Sequence, residues 1–115
     1  MTADPTWQEP EVHLQRWAFV RHPIGTIHVA GLRDGMDRLS RMRMSTNIVA
    51  FDRHALMAET ASGRLYHLVE GGYSPAVGSL LASFFFGRAI ANQVTHLSPE
   101  ELELVLAGTP SAFRH

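Results

Sequence analysis

At 115 residues, 45% hydrophobic and 18% charged, the chain has material for one globular domain with its own core and too little for two. It has no cysteine, which excludes a disulfide framework, a thiolate nucleophile and every cysteine-ligated metal site. A formal net charge of -1 supplies no field of either sign to draw in nucleic acid or an anionic membrane, so any such affinity has to be local.

All ten basic residues are arginine, which removes Schiff-base, phosphate-loop and general-base chemistry that depends on lysine. The polar, acidic stretch from Met1 to Pro10 lacks the basic leader and apolar core of a signal peptide, and the expectation that follows is a cytoplasmic protein. Residues 1–12 read as a flexible arm carrying Trp7, residues 13–108 as a single α+β domain, and residues 109–115 as a tail.

Strands are expected first. Leu14 to Arg21 is rich in residues that fit a pleated surface, and His22-Pro23-Ile24-Gly25 is turn chemistry. Thr26 to Leu32 alternates Ile27 and Val29 with His28 and Ala30, and Gly31 is a candidate bulge. Arg33 to Ser45 breaks the alternation and reads as a long loop or an extended edge. Asn47 to Asp52, Ala55 to Thr60 and Arg64 to Val69 follow as further strands, the last two joined by the tight-turn pair Ser62-Gly63. Successive hairpins predict an antiparallel meander of four or five strands, a curved sheet turning toward a small barrel.

Beyond Gly72 the period becomes helical. Ser74-Pro75 places a capping hydroxyl before a proline at the first helical position, and the pattern predicts one helix from Pro75 to about Gln93. Ser98 and Glu101 form a capping box for a second helix, which ends at Gly108. Both C-terminal helices are expected on one face of the sheet. The expected core comprises Trp17, Phe19, Ile27, Val29, Ile48, Val49, Phe51, Leu65, Leu68, Leu80, Leu81, Phe84 and Leu104.

Seven histidines invite a metal reading, with His28 and His67 on neighbouring strands and His54 or His13 completing a triad. No His-x-His or His-x-x-x-His spacing supports it, so neither metal nor cofactor is expected. Ser40, Ser45, Ser62, Ser79 and Ser83 lie outside any nucleophile elbow, and Ser74 is explained by capping. Asp52, Glu59 and Glu70 are the strand-associated carboxylates, and Glu70-Gly71-Gly72 ahead of a helix is a generic anion site. No catalytic residue emerges.

Two segments invite a partner. Arg33, Arg38, Arg41 and Arg43 are interleaved with Met42 and Met44, and both residue types are favoured in protein interfaces. Phe84-Phe85-Phe86 spans more than one face of a helix, so Phe85 and Phe86 are the candidates for self-association as a homodimer. The apolar run there stops at Arg88 after about 13 residues, short of the roughly 20 a membrane span needs.

Ser45-Thr46-Asn47-Ile48-Val49-Ala50-Phe51-Asp52, followed by Thr60-Ala61-Ser62-Gly63-Arg64-Leu65-Tyr66-His67-Leu68, resembles a group of small uncharacterised proteobacterial proteins of plasmids, prophages and integrated elements. Trp17, His28 and Gly31 match that group's first two strands, and the likeness covers roughly residues 14–72 before this chain substitutes its phenylalanines for a Trp-bearing helix. The resemblance implies a setting and brings no catalytic residue. Small proteins on mobile elements often act by binding and blocking a host or rival machine. The expected function is therefore a non-enzymatic protein-binding module, an inhibitor or regulator of a bacterial or phage-defence complex, using Arg33, Arg38, Arg41, Met42, Arg43 and Met44. A nucleic-acid-binding protein using the same arginines is the first alternative and a His- or metal-dependent enzyme the second.

Overall fold

The computed structural model describes residues 11–33 and 41–107. In chain order the elements are β1 (Glu11–Leu14), β2 (Arg16–Arg21), β3 (Ile27–Leu32), β4 (Met42–Met44), β5 (Ile48–Asp52), β6 (Met57–Thr60), β7 (Leu65–Leu68), α1 (Pro75–Phe86), α2 (Arg88–Ala91), β8 (Thr95–Leu97) and α3 (Pro99–Ala107). The class is α+β. The strands form two four-stranded sheets rather than one, a first in the order β1-β7-β6-β5 and a second in the order β4-β3-β2-β8. Every strand pair is antiparallel except β1 with β7.

A single residue divides the sheets. The Gln15 amide donates to the Leu32 carbonyl at 2.8 Å while that of Trp17 donates to Gly72 at 2.9 Å, so the chain turns between β1 and β2 and serves both sheets. Glu11 and Val12, expected in the arm, are the first two residues of β1. Gly31 is no bulge: the register runs unbroken from Trp17 through Gly31 to Arg43. Glycine is needed there because a Cβ would stand 2.6 Å from the Arg16 carbonyl oxygen and 2.7 Å from Leu14 Cδ1. The register shift lies instead between Ile48 and Ala50.

The core fills the space between the sheets with Val12, Leu14, Trp17, Phe19, Ile27, Val29, Ile48, Tyr66 and Leu68, with Leu97 and Leu102 at one side. Phe19 meets Phe51 edge-on at 5.2 Å across the two sheets. Trp17 is buried whole because its indole N–H donates to the Val69 carbonyl at 2.8 Å, leaving no polar atom unsatisfied. Full burial of each such aromatic stabilises the fold by about 1.5–3 kcal/mol.

The helices depart from expectation. The single helix from Pro75 to Gln93 stops at Phe86, because Gly87 adopts φ 88 and its amide closes the last turn on Ser83 at 3.0 Å. After the one-turn α2 the chain extends into β8, which adds to the second sheet beside β2. The two long helices do not share one sheet face. α1 lies across β2, β3 and β4 of the second sheet, whereas α3 meets β5 and β8 and inserts Leu102 into the core.

Candidate functional site

Local chemistry starts α1 as anticipated. Ser74 is extended (φ -149, ψ 98), its side-chain oxygen accepts from the Val77 amide, and Pro75 follows where no amide is needed. The helix then settles on the sheet by its small residues. Gly78, Leu81 and Ala82 are its buried positions, and a Cβ on Gly78 would lie 2.8 Å from the Ala18 methyl. With glycine and alanine inward, Leu80 and Phe84 fall two positions from Ala82, on the opposite side of the helix axis.

This overturns part of the expected core. Leu80 is 62% exposed, Phe84 55% and Phe85 43%, and Leu104 on α3 is likewise exposed. The Phe84 and Phe85 rings stand at right angles 5.0 Å apart, forming one patch. No residue from Pro75 to Phe86 carries a charge. The exposed apolar area is on the order of 300 Å², the scale at which a surface patch on a monomer is often functional.

Phe86, a candidate with Phe85 for self-association, is half-buried. Its ring lies 5.1 Å from His22 and 5.5 Å from His28, edge-on to both. His28 is held from two sides. Its Nδ1 donates to the Ser45 carbonyl at 2.8 Å, which fixes the tautomer, and Nε2 is left to accept from the Thr26 hydroxyl at 2.8 Å. Burial lowers the His28 pKa below its ordinary value; the bond to Ser45 opposes that and the neighbouring His22 reinforces it.

The arginine–methionine segment is split by strand alternation. Met44 stands opposite Ala30 and Met42 opposite Leu32, sharing the helix side of the second sheet, while Arg43 stands opposite Gly31 on the other face. Arg33 and Arg41 are tied together: the Arg33 amide donates to the Arg41 carbonyl at 2.7 Å, and Arg41 Nε donates to the Arg33 carbonyl at 3.0 Å. Arg43 Nη1 donates to the Met42 carbonyl at 3.1 Å. All five are half-buried. Arg38 and Ser40 lie outside the described residues.

The histidines considered for a metal are separated. His28 belongs to the second sheet and His67 to the first, where it stacks on His13 at 4.5 Å and donates from Nε2 to Glu11 at 2.7 Å. No group of three metal-ligating side chains occurs among the described residues. Ser45 is buried, accepting from the Val29 amide and donating to the Thr46 carbonyl.

Two clefts remain. One, of about 380 Å³, gathers His54, Glu70 and Gly71 with Arg53, Tyr73 and Glu100. Arg53 is already paired with Glu103 at 3.0 Å and Glu100 at 3.6 Å. Tyr73 donates to the Leu97 carbonyl at 3.1 Å, and burial, then Glu101 and Glu100, raises its pKa. The other cleft, of about 330 Å³, runs from Arg21 and Ile27 to Asn47 and the last turn of α3.

Hydropathy alone puts Leu80 and Phe84 inside, and the structure leaves both exposed. The spacing Ser74, Gly78, Ala82 was the available signal, since small residues at every fourth position mark the side on which a helix comes closest to its neighbour. No family model, curated protein or solved structure matches the chain.

Proposed function

We propose that this chain is a non-enzymatic protein-binding module whose contact surface is the outward face of α1. The observation that carries the reading is the uncharged patch of Leu80, Phe84 and Phe85, left in solvent on a helix whose small residues face inward. Met42 and Met44, on the same side of the second sheet, extend it with adaptable side chains. A patch without charge selects a partner whose own surface is apolar and uncharged there, because an ion facing it would lose its hydration without a counter-charge. On this reading the resemblance to mobile-element proteins supplies the setting: the module inhibits or regulates a bacterial or phage-defence complex by occupying one of its apolar surfaces.

The test is photo-crosslinking inside bacterial cells that make the protein. A benzophenone side chain at position 84 should yield an adduct with a second protein, and the same group at position 67, on the outer face of the first sheet, should not. Leu80→Glu should abolish the adduct while moving the thermal midpoint by less than about 2 °C, since the site is exposed. An adduct with another copy of this chain alone, or no adduct at all, would overturn the reading.

A further inference from the structure

The smaller cleft has a chemistry of its own, independent of the α1 surface. It opens at the end of the core where β2 finishes, β3 begins and the last turn of α3 passes. Its walls are apolar, formed by Ile27, Ile48, Val49 and Val105, and among the described residues no acid lines it. The polar side chains in it are Arg21 and Asn47.

Both line the cleft and both carry donors. Arg21 Nε is buried without a hydrogen-bond partner among the described residues. A guanidinium cannot shed its proton at any ordinary pH, and its fork geometry matches a carboxylate. Asn47 is oriented by the Ile27 amide, which donates to its Oδ1 at 2.9 Å. With the carbonyl side of the amide committed, Asn47 Nδ2 presents N–H groups and no acceptor.

From this set of groups we infer that the cleft binds an aliphatic carboxylate, its head on Arg21 and Asn47 and its chain along Ile27, Ile48, Val49 and Val105. Two donors and no acid select an anion, and the apolar walls select against a hydrated inorganic one. A volume of about 330 Å³ admits a chain of medium length.

Octanoate is the probe, followed by heteronuclear NMR on the full chain at pH 7.5. Saturable shifts of the Arg21 Nε–H and Asn47 side-chain amide resonances are expected. Octanol, with the same chain and no charge, should bind roughly tenfold or more weakly, the worth of a charge-assisted hydrogen bond. Acetate should give no saturation. Arg21→Met should remove octanoate binding. Asn47→Asp keeps the acceptor for the Ile27 amide and places a carboxylate beside Arg21, so it should abolish binding in a folded protein even if the first variant fails to fold. Equal binding of octanol and octanoate, octanoate binding that survives Asn47→Asp, or no saturable shift would each overturn the inference.

Discussion

Burial holds the His28 pKa below its ordinary value, because a half-buried site penalises the charged ring. Its Nε2 accepts from Thr26, so protonation requires that hydroxyl to turn, in a half-buried site with His22 nearby and Phe86 above. The folded pKa lies below that of the unfolded chain, so the unfolded state binds more protons as pH falls through 6.5. Stability present above that pH is lost on acidification toward and below the folded pKa. The thermal midpoint should therefore fall between pH 7.5 and pH 5, and His28→Gln should flatten that dependence. A profile unchanged by the substitution would place the titrating group elsewhere. Gly31 offers a second single-residue test, set by sterics instead of charge. Because the atom in its way is the backbone oxygen of Arg16, Gly31→Ala cannot be relieved by a rotamer change, and a loss of about 1–3 kcal/mol is expected in urea titration.

At the scale of elements, the register of α1 is the most consequential feature. Leu81 is fully buried and its neighbour Leu80 is not, so Leu81→Ala should cost about 2–5 kcal/mol while Leu80→Ala stays within about 0.5 kcal/mol. Equal losses would mean the helix sits on the sheet by a different face. Ser98→Ala, which removes the acceptor for the Glu101 amide at 3.1 Å, should cost about 1 kcal/mol by the same assay. The helix starts at Ser74 and Ser98 were legible because a cap is written within four residues. The strands from Arg16 to Leu68 were legible in outline because alternation repeats every two. The face α1 turns inward was not, since hydropathy favours Leu80 and Phe84 and only the close approach of Gly78 to Ala18 decides otherwise. β8 was hidden for a similar reason. Thr95-His96-Leu97 is too short to carry a period, and pairing with β2 makes it a strand. Arg21 and Asn47 lie far apart in sequence and carry no motif, so nothing short of the folded corner brings them to one cleft.

Considered as a whole, the molecule is two sheets that share their chain. β1 and β2 are one segment bent at Gln15, and β4 leads into β5 through Ser45–Asn47, so neither sheet can be lost without unseating strands of the other. One cooperative transition is expected, with tryptophan fluorescence and far-ultraviolet dichroism coinciding in urea. The parallel pairing of β1 with β7 is the most distant in sequence of the first sheet's pairings and carries the larger loop-closure entropy. Val12→Ala should therefore speed unfolding and leave the refolding rate nearly unchanged, as for a contact made after the barrier. That late pairing also orders events during synthesis. Glu11–Leu14 leaves the ribosome ahead of Leu65–Leu68 and has no strand to join until that segment has followed it. Until then the nascent chain holds Val12 and Leu14 without a strand partner, and a chaperone or a neighbouring chain can pair with both edges of that segment, of which folding leaves one.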